Sequence, residues 1–340
     1  MKARLLAILA CLLALTACAG PAARTALVPL AEDQAPLSQA PLSSCGYAYY
    51  VIREDGTAVG WGDNIRCTLP AFCPTPDQAG DIMDRAIGIY GGAWVALILD
   101  EDHNLWGLGA GGEPFCLLMD TPWDDPPQLV KLLENVVTAG SGDEQAMALL
   151  EDGTIMRWGS QGVQQFLTGC TALWVESTDG YALTEEGQLL GWGRQLPIEG
   201  MRDAFYQEPQ VILEDAKDLV AISSYQGIRC FLHSDGTLWR TGWDQDGNFL
   251  PLELWRQDVI ACMEHFYITS DHRLWMWDLG SEPVVLMENA AAAMDGEQGI
   301  FALDRDGVLW HVALDEARRP SLTRIMDGIR IPKHPVIQQQ

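Results

Sequence analysis

The chain has 340 residues and a formal net charge of −26, with Asp and Glu outnumbering Lys and Arg by 47 to 21. No basic cluster exceeds Arg318-Arg319, which argues against a nucleic-acid binder held by phosphate contacts and against docking on anionic lipid headgroups. Cations and basic protein surfaces are the complementary partners.

Residues 1–18 read as a leader rather than as part of a fold. Lys2 and Arg4 precede an apolar run from Leu5 to Leu15 that is too short to span a bilayer comfortably. The run ends in Leu15-Thr16-Ala17-Cys18, which resembles a bacterial lipobox. That resemblance implies cleavage before Cys18, a lipid on its thiol, and a place in the bacterial cell envelope, either on the outer side of the cytoplasmic membrane or in the outer membrane. Loss of Lys2 and Arg4 with the leader would take the net charge to about −28. No later run of about 18 apolar residues offers a spanning helix, so attachment through lipid is the expectation. Residues 19–44 are rich in Pro, Ala, Ser and Gln and read as a flexible tether. A folded part is expected over 45–333 and a disordered tail over 334–340.

An exported protein is free to form disulfides. Beyond Cys11 and Cys18 there remain Cys45, Cys67, Cys73, Cys116, Cys170, Cys230 and Cys262. The odd number leaves at least one thiol without an intramolecular partner. Cys67 and Cys73 are near enough in sequence to close one loop, whereas Cys230 and Cys262 sit in apolar runs and read as small core residues.

The most informative pattern is a recurring hairpin: an apolar run, an acid followed by Gly, a second apolar run and a Trp. Its turn acids are Asp55, Asp102, Asp152, Glu186, Asp235, Asp271 and Asp306, spaced by 34 to 50 residues. Asp-Gly suits a tight turn because Gly accepts positive φ. At two turns His103 and His272 replace the Gly. Four acids are followed after six residues by Trp (Trp61, Trp158, Trp192, Trp277) and four after four residues (Trp106, Trp239, Trp275, Trp310). Offsets of four and six share one strand face, so these indoles read as packing between sheets rather than as a sugar-binding cradle.

A short apolar run precedes most hairpins, for example Ile87 to Tyr90, Leu173 to Val175 and Val259 to Cys262, and several outer runs begin with Pro, as at Pro127, Pro209 and Pro283. Each unit therefore reads as four strands, and seven such sheets bury their faces by radial stacking. The first hairpin lacks an apparent inner strand, since Ser43-Ser44-Cys45-Gly46 is not strand-like. Ile329 to Ile331 follows the last unit and is expected to supply that strand and close the ring.

Apolar run, Asp-Gly, apolar run, Trp-Gly and a polar loop together resemble the regulator-of-chromosome-condensation repeat. Trp61-Gly62-Asp63-Asn64 is the nearest copy and Gly242-Trp-Asp-Gln-Asp-Gly-Asn248 a drifted one. The resemblance covers roughly residues 45 to 331 and implies an all-β, seven-bladed propeller of four-stranded antiparallel blades that serves as a protein-interaction platform. Chromatin and nucleotide-exchange roles are not expected of an exported, acidic chain.

Signatures of chemistry are sparse. Asp244, Asp246 and Asn248 place oxygens at alternate positions, as the start of a calcium loop does, but no Glu follows at the usual offset. A structural calcium is thus the one cofactor considered. The six histidines are scattered, with no paired metal-ligand spacing, and there is no nucleophile elbow, phosphate loop or dinucleotide fingerprint. The reading is a membrane-anchored binding module without enzymatic activity. It would meet a protein or peptide at the cell surface through rim loops over 63–84, 110–128 and 194–207, with Phe72, Phe115, Trp123, Asp124, Asp125, Phe205 and Tyr206 as candidate contacts. The alternatives are a hydrolase of envelope glycans using rim carboxylates such as Asp124-Asp125 or Asp143-Glu144, and a calcium-dependent adhesin.

Overall fold

Strands that must be covered on both faces lose the alternation of a half-buried strand and become continuously apolar. The second strands of the repeat show this: Ala48–Ile52, Val95–Asp100 and Ile300–Asp304 are buried at every position. The computed structural model describes residues 41–44, 48–63, 69, 73–92, 95–109, 129–142, 145–159, 162–176, 178–194, 196–201 and 205–332. Among these, the strands form seven four-stranded antiparallel sheets, each in simple meander order, and the only helical segment is a 3-10 turn at Pro76–Gln78. The protein is a seven-bladed β-propeller.

From the axis outward, blade 1 comprises Leu42–Ser44, Ala48–Ile52, Ala58–Gly62 and Gly80–Met83, and blade 2 Ala86–Gly91, Val95–Asp100, Leu105–Gly109 and Val130–Leu133. The inner strands of blades 3 to 7 are Val136–Ser141, Cys170–Val175, Leu219–Tyr225, Val259–Met263 and Ala290–Met294. Exposure rises outward, and the outer strand of blade 7, Pro320–Met326, is open to solvent over its first five residues. The core is a ring of clusters between neighbouring blades. Trp61 lies against Tyr49 in its own blade, with ring centroids 5.6 Å apart, and edge-on to Phe301 of blade 7 at 5.5 Å.

The two tryptophan series have different work. Trp61, Trp158, Trp192 and Trp277 are buried, as packing residues should be. The other four are only half-buried, and their indoles tie down the adjacent turn. Trp106 and Trp310 donate to the carboxylates of Asp100 and Asp304 at 2.8 Å, and Trp239 and Trp275 donate to the hydroxyls of Thr237 and Thr269 at 3.1 and 3.2 Å.

The repeated turn also has a role that its local shape does not reveal. The carbonyl of the turn Gly accepts a hydrogen bond from the first residue of the next inner strand: Gly56 from Ala86, Gly153 from Cys170 and Gly236 from Val259, at 2.8 to 3.0 Å. His103 and His272 hold the same left-handed backbone, with φ of 60° and 62°, and accept from Val136 and Ala290. Drift at these two turns therefore leaves the joint intact.

Ring closure uses this same joint but differs from the expectation. Ile329 donates to the carbonyl of Gly307, Glu54 donates to that of Gly328, and Arg330 donates to that of Ile52. Ile329 also bridges to Arg53 and is fully buried. The C-terminal segment thus starts the inner strand of blade 1, but it does not complete it. Leu42–Ser44, expected to be tether, pairs in register with Tyr49–Val51 and supplies the rest. Both ends of the described propeller meet on one blade. The tether reading fails here because an inner strand needs backbone pairing more than an apolar sequence; Ser43 adds a side-chain contact by accepting from the Gly91 amide at 2.7 Å.

Cys170, Cys230 and Cys262 are buried free thiols, as expected of core residues. Cys73 is also buried and free, against the bridge suggested by its spacing from Cys67, which lies outside the described residues.

Candidate functional site

A meander blade sends its first and third turns to one end of the channel and its second turn to the other. The repeated acidic turns, with the blade-to-blade joints, therefore gather at one end, here termed the turn face. The inner-hairpin turns gather at the opposite end, the loop face. The strand ends at Gly62, Gly109 and Arg194, from which the three inserted loops leave, are also on the loop face.

The channel opens on the loop face as a cavity of about 780 Å³ lined by all seven inner strands. Its mouth is chemically lopsided. Blades 1 to 3 present Ser43, Ser44, Tyr90, Gly92 and Ser141, whereas blades 4, 6 and 7 present Glu176, Glu264 and Asp295, each directly after the inner strand. Asp179 and His265 also line this half.

Each acid has a distinct environment. Burial pushes the Glu176 carboxyl up to about 7, against the stabilising effect of a hydrogen bond donated by the Ser224 hydroxyl at 2.9 Å and the charge of Arg229; Asp179 adds to the rise. Asp179 and Arg229 form an ion pair that is almost completely buried, and the Arg229 Nε also donates to the Tyr181 hydroxyl at 2.8 Å. Burial raises the Asp179 carboxyl in spite of that partner, and its Oδ1 is buried without a hydrogen bond. Glu264 reaches channel solvent, and the protein packed around it, then the like charges of Asp295 and Glu176, raise its carboxyl. Burial lowers the His265 imidazole, against the attraction of Asp295 and Asp278.

A raised acid has a defined stability signature. Glu176 keeps its proton in the folded chain up to about pH 7, while the unfolded chain releases it near 4.5. The folded state then binds more protons across that interval, so stability falls as pH rises through it. With chelator present, Glu176→Gln is expected to stabilise the protein by about 1–3 kcal/mol at pH 8 and to change little near pH 4.5. Denaturation midpoints across this range read the effect, and an equal shift at both pH values would contradict the assignment.

Two of the candidate contacts chosen from sequence, Phe205 and Tyr206, fall elsewhere. Phe205 and Tyr206 begin the outer strand of blade 4, and Phe205 lies beneath the Arg194 guanidinium at 5.5 Å, away from the channel. Asp244 uses both carboxylate oxygens within its own loop, accepting from the Asn248 amide at 2.7 Å and from its side chain at 3.0 Å. Cys18, Phe72, Phe115, Trp123, Asp124, Asp125, Asp143 and Glu144 lie outside the described residues.

Glu176, Asp179, Arg229, Glu264, His265 and Asp295 were not singled out by the sequence. A signal for three of them exists: Glu176, Glu264 and Asp295 occupy one column of the repeat, directly after the inner run. The scattered histidines also hid one grouping, since His265 stands beside acids from two hairpins.

No family model matches the chain, and no curated protein matches it in sequence. Solved structures do match in fold. The yeast RCC1 protein Prp20, in complex with Kap60, superposes with a TM-score of 0.52 at 15% identity, covering 86% of this chain and 76% of that one. Human WBSCR16 superposes with a TM-score of 0.60 at 13% identity, covering 78% and 86%. PorZ, a surface component of the type-IX secretion system of Porphyromonas gingivalis, gives 0.52 at 11% identity, covering 84% of this chain and 38% of that protein. At these identities the likeness is one of fold.

Proposed function

We propose that the chain is a lipid-anchored, extracytoplasmic interaction module that receives a basic segment of a protein or peptide partner on its loop face. The observation that carries this reading is the acid-lined half of the channel mouth, on the same face as the strand ends that bear the long loops. Glu176, Glu264 and Asp295 converge there, and Arg229, the one buried cation beside them among the described residues, is already paired with Asp179. Burial and, after it, the like charges of Asp295 and Glu176 raise the Glu264 carboxyl, and a cationic segment would relieve that crowding. The RCC1 relative Prp20 is a protein binder, described with Kap60, Gsp1p and histones, which supports an interaction role for the fold without indicating this chain's partner.

The spacing of one pair at the mouth, Glu264 and Asp295, is shorter than glycan cleavage uses. Donor atoms of Glu264 and Asp295 lie within 4.8 Å of each other, on neighbouring turns of one side of the mouth. A retaining pair needs about 5–5.5 Å across the scissile bond, and an inverting pair needs about 6.5–9.5 Å.

Two expected results test the proposal. Cys18→Ala should move the protein from the membrane fraction to the soluble fraction, because stable anchoring depends on the lipid chains. Binding of the partner should weaken steeply between 50 and about 300 mM salt. Membrane retention of the Cys18 variant would remove the anchor, and salt-insensitive binding would remove the electrostatic mode.

A further inference from the structure

We infer that Glu264, His265 and Asp295 form a binding site for a divalent transition-metal ion of the Zn²⁺ class at the channel mouth. One donor atom from each residue lies within 4.8 Å of the other two. The donors come from two neighbouring blades: Glu264 and His265 from the inner turn of blade 6, and Asp295 from the end of the inner strand of blade 7.

The histidine makes this more than a patch of acids. Its side chain is only 7% exposed, yet among the described residues its ring makes no hydrogen bond. The Nε2 atom points at Asp295 Oδ2 from 3.6 Å, beyond a good hydrogen bond. Zn–N and Zn–O bonds of about 2.0–2.2 Å at a tetrahedral centre put neighbouring ligand atoms about 3.4 Å apart, so this separation suits two ligands of one ion. The imidazole is also held in place. Its centroid lies 4.4 Å from the Tyr225 ring and 4.1 Å from the Phe266 ring. A buried imidazole fixed by aromatic packing, which makes no hydrogen bond among the described residues and faces two carboxylates, is explained by an ion between them.

The donor set decides the class of ion. Ca²⁺ takes six to eight oxygens and Mg²⁺ keeps most of its waters, whereas imidazole with carboxylates suits Zn²⁺. Three protein donors leave a fourth position open to the cavity, for water or a donor from a partner. Bound metal would also join blade 6 to blade 7 at the axis.

The test uses the full-length chain in detergent, stripped with chelator and titrated with Zn²⁺ against a chromophoric competitor. The expected result is one saturable equivalent with a dissociation constant of micromolar or below. His265→Ala and Asp295→Asn should each weaken it at least tenfold, while Asp244→Asn leaves it unchanged. Ca²⁺ and Mg²⁺ at millimolar concentration should not displace Zn²⁺. Glu264→Gln lies at a solvent-reaching turn and gives a third variant if removal of the His265 ring disturbs folding. Co²⁺ in the unmutated protein supplies a readout independent of mutation, since its visible bands report nitrogen ligation. Absence of saturable binding, undiminished affinity in the folded variants, displacement by Ca²⁺, or a Co²⁺ spectrum showing oxygen ligands alone would each overturn the site. Because the titration needs no macromolecular partner, its failure is separable from failure of the interaction role.

Discussion

Arg229→Met lowers folding stability by about 3–5 kcal/mol, the size expected when one member of a buried ion pair is removed. The loss does not come from a strong attraction in the native protein. It comes from what is left behind: Asp179 buried at 2% exposure, with one oxygen already lacking a hydrogen bond and the other losing its partner. The Tyr181 hydroxyl loses its donor as well. The double variant Arg229→Met with Asp179→Leu recovers most of the stability, since no charge remains to be desolvated. The single variant also acquires a pH dependence. Burial already raises the Asp179 carboxyl, and loss of Arg229 raises it further, so the folded variant holds a proton that the unfolded chain releases. Its deficit should therefore be larger at pH 8 than at pH 5. Urea denaturation of the three proteins at both pH values measures this. A double variant no better than the single one would mean that Arg229 acts by packing alone.

The second large effect concerns closure. Ending the chain at Asp327 should cost about 4 kcal/mol or more, whereas ending it after Ile331 should cost nearly nothing. The shorter form loses the fully buried Ile329 side chain from the cluster between blades 7 and 1. It also loses the joint bonds of Gly328, Ile329 and Arg330, and the 2.7 Å bond that the Arg330 guanidinium donates to the Ala86 carbonyl. The remaining inner strand of blade 1 has only the three residues Leu42–Ser44. Comparable denaturation midpoints for the two truncations would show that the N-terminal strand closes the ring unaided.

These two features differ in how far they can be read from sequence. The blades are legible because their determinants are local. Asp152-Gly153 makes a turn and Trp158 six residues on fills the gap between blades, so each repeat states its own hairpin. His103 and His272 show that the turn survives without Gly because the next inner strand anchors its carbonyl, a long-range bond with no local mark. The inner strand of blade 1 escapes notice for a related reason: Leu42-Ser43-Ser44 joins through backbone pairing, and only Leu42 carries the apolar character of the other inner strands. The channel mouth was hidden because it is assembled from single residues in different repeats. Glu176, Glu264 and Asp295 are ordinary acids in sequence, and only the radial arrangement brings them together. The exposed aromatic Phe205 was attractive for the opposite reason. Its composition is conspicuous, but its strand lies at the rim of blade 4 beside Arg194.

That the partner meets the loop face, and not the more regular turn face, is the central functional claim. Its most direct test is site-specific photo-crosslinking in cells, with the crosslinking residue placed at exposed positions of each face. Gln226 and Glu297 lie on inner-hairpin turns of the loop face, and Glu151 and Asp306 lie on the opposite face. The expected result is a discrete protein adduct from Gln226 and Glu297, with none from Glu151 and Asp306. Adducts from Glu151 and Asp306 alone would contradict the assignment and move the interaction surface to the repeated turns.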